Sequence, residues 1–210
     1  MRIDIHPMNP EPRKIALVAD LLRKGGIAVI PTDTIYAFVC DLHQYRGFEK
    51  ICRLKDVRPD KAQFSLLCTD LGNISAYTKP FDRSTYKLLN KALPGPYTFI
   101  LEASKAIPKI FSDRKKTVGI RVPDNAIAKR IIEELGCPLI ATSVHDDDEI
   151  IDYTTDPQMI EEKWGNEVDI VIDGGPGGLE PSTILDCTNG NIVLVRQGKG
   201  SVEGFLELMD

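Results

Sequence analysis

The chain has 210 residues, 42% hydrophobic and 27% charged, with 26 Lys+Arg against 31 Asp+Glu and a formal charge of -5. This composition argues against a disordered chain and against a disulfide-stapled miniature fold, since a chain of this length buries about 70% of its unfolded surface without covalent help. The net acidity argues against bulk binding of polyanions, and no apolar run approaches the ~20 residues of a membrane span, so the reading is a cytoplasmic protein with no membrane partner.

Along the chain, Asn9-Pro10 followed by Ile15, Val18, Leu21 and Leu22 predicts a capped amphipathic helix ending at Gly25-Gly26. Residues 27–30 and 35–41 read as strands around a Pro31-Thr32-Asp33 turn. A helix follows, with Tyr45, Phe48, Ile51 and Cys52 facing inward and Arg46, Lys50 and Arg53 outward. Next come a strand at 64–68, helices near 70–76 and 81–92, a Pro-Gly-Pro-Tyr turn at 94–97 and strands at 98–103 and 117–122. Asp124 is the expected cap of a helix through Ile127, Ile131, Ile132 and Leu135 that ends at Gly136, before a strand at 138–143. A helix near 156–163 precedes three closely spaced strands at 168–173, 182–187 and 192–197. Early alternation of helix and strand followed by late strands on short links predicts a single α/β domain over residues 1–210, built on one twisted mixed sheet.

Five cysteines lie far apart, each in an apolar stretch, and there are three histidines. They read as buried reduced thiols, with neither a thiol nucleophile nor a metal site. The -5 conceals a division. Residues 46–61 carry six basic against three acidic side chains, a net of +3, and residues 105–130 carry eight against two, a net of +6; residues 144–180 carry twelve acids and one Lys, a net of -11.

Several polar sets fall at strand ends. Pro31-Thr32-Asp33-Thr34-Ile35-Tyr36 gathers two hydroxyls and a carboxylate at a turn, suited either to turn chemistry or to a small polar ligand. Lys55 and Arg58 leave a helix end that Pro59 terminates; they either clasp phosphate or complement the helix dipole. Arg121, inside the apolar strand Thr-Val-Gly-Ile-Arg-Val, needs a partner, which is a ligand anion or a structural Asp. Thr142, Ser143 and His145 end another strand, where α/β sheets bind ligands. Asp173-Gly174-Gly175 lacks the Lys-Ser/Thr of a phosphate loop, and Pro181-Ser182-Thr183 and Arg196 close the set.

In this order the pieces resemble the YrdC family of threonylcarbamoyl-adenylate synthases, most nearly its YciO branch. The resemblance implies a YrdC/RibB-like sheet with a basic concave cavity, and a reaction joining L-threonine, bicarbonate and ATP, accompanied by Mg, into threonylcarbamoyl-AMP and pyrophosphate for tRNA modification. It also implies double-stranded RNA or tRNA as a partner of a non-catalytic alternative. By the same resemblance Thr34, Arg121 and Ser182 hold a threonine-like acid, while Lys55, Arg58, Thr117, Ser143, His145 and Arg196 hold the nucleotide. Length leaves room for the synthase-like domain alone. This sequence departs from the synthase pattern in the extra residue between Lys55 and Arg58, in His145 with the acids at 146–149, in Leu67-Cys68 where a His is expected, and in Tyr36-Ala37-Phe38-Val39, whose added side chains are expected to narrow the cavity floor.

Overall fold

The computed structural model describes residues 1–108, 111, 116–144, 155–188 and 190–209. Ten strands form one sheet: β1 (Arg2–Asp4), β2 (Ala28–Ile30), β3 (Ala37–Asp41), β4 (Ser65–Leu67), β5 (Tyr97–Glu102), β6 (Thr117–Arg121), β7 (Leu139–Ser143), β8 (Ile170–Asp173), β9 (Thr183–Asp186) and β10 (Val193–Arg196). The helices are α1 (Pro12–Arg23), α2 (Tyr45–Leu54), α3 (Leu71–Tyr77), α4 (Arg83–Ala92), α5 (Ala126–Leu135) and α6 (Pro157–Trp164), followed by a 3-10 helix over Glu203–Leu208. No helix among the described residues is long and apolar enough to cross a membrane.

The strand order is β1-β8-β2-β3-β7-β4-β6-β5-β9-β10. The pairs β1/β8, β8/β2, β4/β6 and β5/β9 are parallel and the other five antiparallel, which is the expected mixed sheet. The late strands are not neighbours as a group. Only β9 and β10 form a hairpin, while β8 inserts between β1 and β2, where Ile170, Val171 and Ile172 are buried on both faces. Residues 174–182 therefore pass from one half of the sheet to the other.

Period-2 alternation sorts side chains into two layers. On one face Val29, Phe38, Leu66, Phe99, Leu101, Ile120, Ile140 and Leu185 pack under α2, α3, α4 and α6, with Phe38 meeting Trp164 edge to face at 5.2 Å. On the other face Ala28, Ile30, Val39, Leu139 and Ile172 pack under α1 and α5. Those two helices cover the β8-β2-β3-β7 half and Leu67 at the end of β4. The rest of this face carries Ser65, Thr98, Thr117, Gly119 and Arg121 with Ile100 and Ile184, and lines open space.

Three local expectations shift. α1 begins at Pro12 with Glu11 as its cap rather than Asn9: Pro10 biases Asn9 away from helical geometry, and Pro12 suits the first helical position. α5 is capped by Asn125, whose Oδ1 accepts from the Ala128 amide at 3.0 Å, so Asp124 lies one residue outside. Tyr45 is 45% exposed, and the inner face of α2 is Gly47, Phe48, Ile51 and Cys52. α5 ends as expected at Gly136, which takes φ 81° and donates to Ile132 O.

Candidate functional site

The uncovered half of the sheet forms a cavity of about 370 Å³ lined by Thr34, Ser65, Thr98, Arg121, Ser143, Ser182 and Arg196 together with apolar residues including Ala37, Ala141, Leu179 and Ile184. Its lining holds two guanidiniums and no carboxylate. A second lobe of about 270 Å³ continues from it along β6, sharing Gln63, Ser65, Thr98 and Ile184 and adding Phe64, Phe111, Thr117 and Gly119.

The 31–36 segment is a turn that also lines the cavity through Thr34 and Ile35. Thr32 Oγ1 donates to Ile35 O at 2.8 Å and accepts from the Thr34 amide at 3.0 Å. Its single proton is thereby used, so across the 3.1 Å contact Thr34 is the donor to Thr32. Thr34 Oγ1 also accepts from Arg121 NH2 at 2.9 Å. The turn thus fixes the hydroxyl that orients the strand arginine.

Arg121 faces the cavity from the end of β6 with its side chain 11% exposed. Its NH2 lies 2.9 Å from Asp33 Oδ1, on a side chain 8% exposed. Of the two expected partners the structure shows the Asp, and the arginine also lines the cavity. The pair is incompletely satisfied, since Arg121 Nε and Asp33 Oδ2 are buried without a hydrogen-bond partner among the described residues. Burial lowers the Arg121 pKa, Asp33 opposes that shift, and the neighbouring Arg196 charge adds to it. Arg196 is itself lowered by burial and donates from NH2 to Ser182 O at 2.9 Å. Arg121 has one carboxylate partner and the second cation nearby has none among the described residues, an excess of positive charge at the cavity that favours an anion.

Ser182 completes the wall, with its Oγ 2.8 Å from Thr98 Oγ1. The link 174–181 forms a roof. Tyr36 OH donates to Gly175 O at 2.7 Å and accepts from the Gly174 amide at 3.2 Å, and the Gly178 amide donates to Thr34 O at 2.8 Å. Pro181 and Leu179 of this link line the cavity. At the rim, Lys199 Nζ donates to Asp33 O at 2.6 Å.

Of the residues singled out in the sequence, Thr34, Arg121, Ser143, Ser182 and Arg196 converge on the main cavity and Thr117 on the adjoining lobe. Lys55 and Arg58 do not line either lobe. Lys55 is the C-terminal cap of α2, and Arg58 is 78% exposed with its fork closed on Asp60 at 3.0 Å through both Nε and NH2. His145 and the acids at 146–149 lie outside the described residues. The expected narrowing of the floor is confined to Ala37, because Phe38 points to the opposite face and Val39 packs under α1. Leu67 is fully buried against the α1 and α5 layer, on the same face as its register partner Arg121. Sequence reasoning passed over Ser65 and Gly119; the signal available was a lone polar residue and a glycine inside otherwise apolar strands.

The family model Sua5_yciO_yrdC, described as telomere recombination, matches residues 20–198. The YciO protein of Escherichia coli (strain K12) is 39% identical over 204 residues, 96% of this chain and 97% of that protein. The crystal structure of E. coli YciO matches with a TM-score of 0.89 at 37% identity, covering 98% of both chains. The threonylcarbamoyl-AMP synthase of Coxiella burnetii (strain RSA 493 / Nine Mile phase I) is 27% identical over 173 residues, 82% of this chain and 91% of that protein. The structure of P. abyssi Sua5 complexed with L-threonine shares the fold at a TM-score of 0.89 and 24% identity, covering 100% of this chain and 61% of that one.

Proposed function

The chain belongs to the Sua5/YciO/YrdC family, and from that premise we propose that it binds a threonine-like amino acid and ATP in the two-lobed cavity, within one domain over 1–210, and forms threonylcarbamoyl-AMP for tRNA modification. The observation that carries this reading is the buried Arg121, held by Asp33 and Thr34 yet open to a cavity without carboxylates. An α-carboxylate is the ligand group that a guanidinium beside a hydroxyl recognises in two-point fashion. The likeness to the Coxiella synthase supports the choice of chemistry.

In the proposed reaction the threonine amine forms a bond to the bicarbonate carbon, with loss of water, to give a carbamate. A carbamate oxygen then bonds to the α-phosphorus of ATP as the bond to pyrophosphate breaks. Thr34, Arg121 and Ser182 orient the acid, and Arg196 offsets phosphate charge near Ser182. Thr117 and Ser143 border the nucleotide, with Lys55, Arg58 and His145 assigned to it by family pattern alone. Positioning and charge neutralisation account for attack at phosphorus, so no covalent nucleophile is required. Among the described residues no three His, Cys, Asp or Glu side chains cluster. Magnesium in this scheme is held by the triphosphate oxygens, as is usual for that ion.

The test is incubation with ATP, magnesium, threonine and labelled bicarbonate, followed by chromatography for a labelled threonylcarbamoyl adenylate and assay for pyrophosphate. A labelled product is expected, and its absence together with no threonine binding would overturn the reading. Arg58→Ala is expected to weaken ATP about 30-fold, or ~2 kcal/mol, since a charge-assisted bond to phosphate is lost; unchanged affinity by calorimetry would remove Arg58 from the site.

A second reading, a nucleotide- or double-stranded RNA-binding module without the transfer step, is favoured by the engagement of Arg58 with Asp60 outside the cavity lining. ATP binding without labelled product would support it, and RNA affinity would then fall steeply with salt.

A further inference from the structure

The two lobes meet along Gln63, Ser65, Thr98 and Ile184. On the cavity face of β6, alternate positions place Thr117 and Gly119 in the second lobe and Arg121 in the first, so Gly119 is the second-lobe position next to Arg121. Gly119 pairs in register with Ser65 of β4 and Ile100 of β5, so it lies on the floor of a trough whose banks are those neighbouring strands. A Cβ built on Gly119 would sit 3.0 Å from Ser65 Oγ and 3.4 Å from Thr98 Cγ2. Ser65 and Thr98 are two of the four residues shared by both lobes. A side chain at 119 would therefore crowd the boundary between the lobes at Ser65 and Thr98.

Nothing in the backbone requires glycine there, since Gly119 is absent from the positive-φ residues. It lies in a central strand, flanked by β4 and β5, where glycine weakens the sheet and where its usual reason is close approach of a ligand or another backbone. No other backbone crowds the built Cβ, whose near neighbours are side-chain atoms facing the cavity. The open space above Gly119 is the cavity itself.

We propose that Gly119 is a specificity-determining residue: its bare Cα joins the acid lobe to the Thr117 lobe, so that one elongated ligand, an acyl adenylate rather than a free amino acid, is the species the site fits. This rests on the reading under Proposed function. Successive same-face positions on a strand are about 6.7 Å apart, so Arg121 and Thr117 anchor points separated by roughly 13 Å. That length suits an acid joined through phosphate to a nucleoside and exceeds what threonine alone spans. The acid end meets Arg121 and Thr34, the phosphate passes over Gly119 between the hydroxyls of Ser65 and Thr98, and the nucleoside lies toward Thr117 and Phe111.

The test compares wild type, Gly119→Ala and Gly119→Val by calorimetry with three probes: L-threonine, AMP, and a non-hydrolysable sulfamoyl analogue of threonylcarbamoyl adenylate, which keeps the free α-carboxylate. Threonine affinity is expected to stay within about 3-fold in both variants, which also reports that they fold. The analogue is expected to weaken about 10-fold in Gly119→Ala and 100-fold or more in Gly119→Val, with AMP weakened in parallel. Analogue affinity unchanged in Gly119→Val overturns the role of Gly119 while leaving the proposed function intact. Wild type that binds neither threonine nor the analogue overturns the function and this inference together. If Gly119→Val fails to fold, Gly119→Ala decides alone, and an analogue affinity equal to wild type there overturns the proposal.

Discussion

At the scale of single residues, the Arg121–Asp33 pair is where folding and the proposed binding meet. Removing one partner of a buried pair leaves the other charge unsatisfied, at a cost of about 3–5 kcal/mol, and neither side chain here exceeds 11% exposure. Arg121→Ala is therefore expected to lower stability by that order, measured by chemical denaturation, and to abolish threonine binding. Arg121→Lys separates the two roles. It keeps the charge beside Asp33 but loses the planar fork, so most of the stability should persist while threonine affinity falls at least about 10-fold, ~1.4 kcal/mol. Threonine bound equally well by Arg121→Lys would make the arginine a structural ion-pair partner only. Arg58→Ala, by contrast, removes a pair exposed to solvent and should leave stability within ~1 kcal/mol.

At the scale of elements, the roof over the cavity depends on the connection between β8 and β9. Six strands separate these two in the sheet order, and seven inter-strand steps at about 4.8 Å would span about 34 Å on a flat sheet, close to the ~33 Å reach of the fully extended chain from Asp173 to Thr183. The connection is not fully extended, since Gly175 takes φ 89°, so the sheet curves and the 174–181 link runs as a chord across its hollow. Tyr36 holds the start of that chord through two hydrogen bonds. Tyr36→Phe is expected to cost about 1–3 kcal/mol and to raise amide exchange at 174–178 selectively; exchange unchanged there would show that the Gly178–Thr34 bond alone retains the roof. The elements themselves were legible because periodicity and caps are local. β1 was missed because three residues give no period to read, and the separation of β8 from β9 was missed because strand order is decided by long-range pairing. The site was legible where a residue violates its local pattern, as Arg121 does in an apolar strand. It was not legible for Gly119, whose role depends on Ser65 and Thr98 from other strands, nor for the outward placement of Arg58, which Asp60 two residues away determines.

At the scale of the whole molecule, net charge conceals the site while burial governs how the fold responds to pH. All five cysteines are buried. Burial pushes the thiols of Cys68, Cys137 and Cys187 up to about 12, with Asp70, Asp41 and Asp186 respectively adding to the shift, and it pushes Cys40 well above its ordinary value. The folded state therefore holds these protons more tightly than the unfolded chain, whose thiols titrate near ~8.5. Below that pH both states are protonated and the full stability is present. As pH rises from about 8.5 toward 12, the unfolded state sheds protons that the fold retains, so stability falls, by up to ~1.4 kcal/mol per pH unit for each such thiol. Denaturation midpoints measured in reductant between pH 7 and 10.5 should be level at first and then decline, and Cys68→Ala should decline less steeply than wild type. A midpoint constant to pH 10.5 would mean that the thiols are hydrated in the native protein. The same buried, protonated thiols should resist iodoacetamide at pH 8 in the folded state and react once denatured, because the packing of the two layers shields them and raises their pKa.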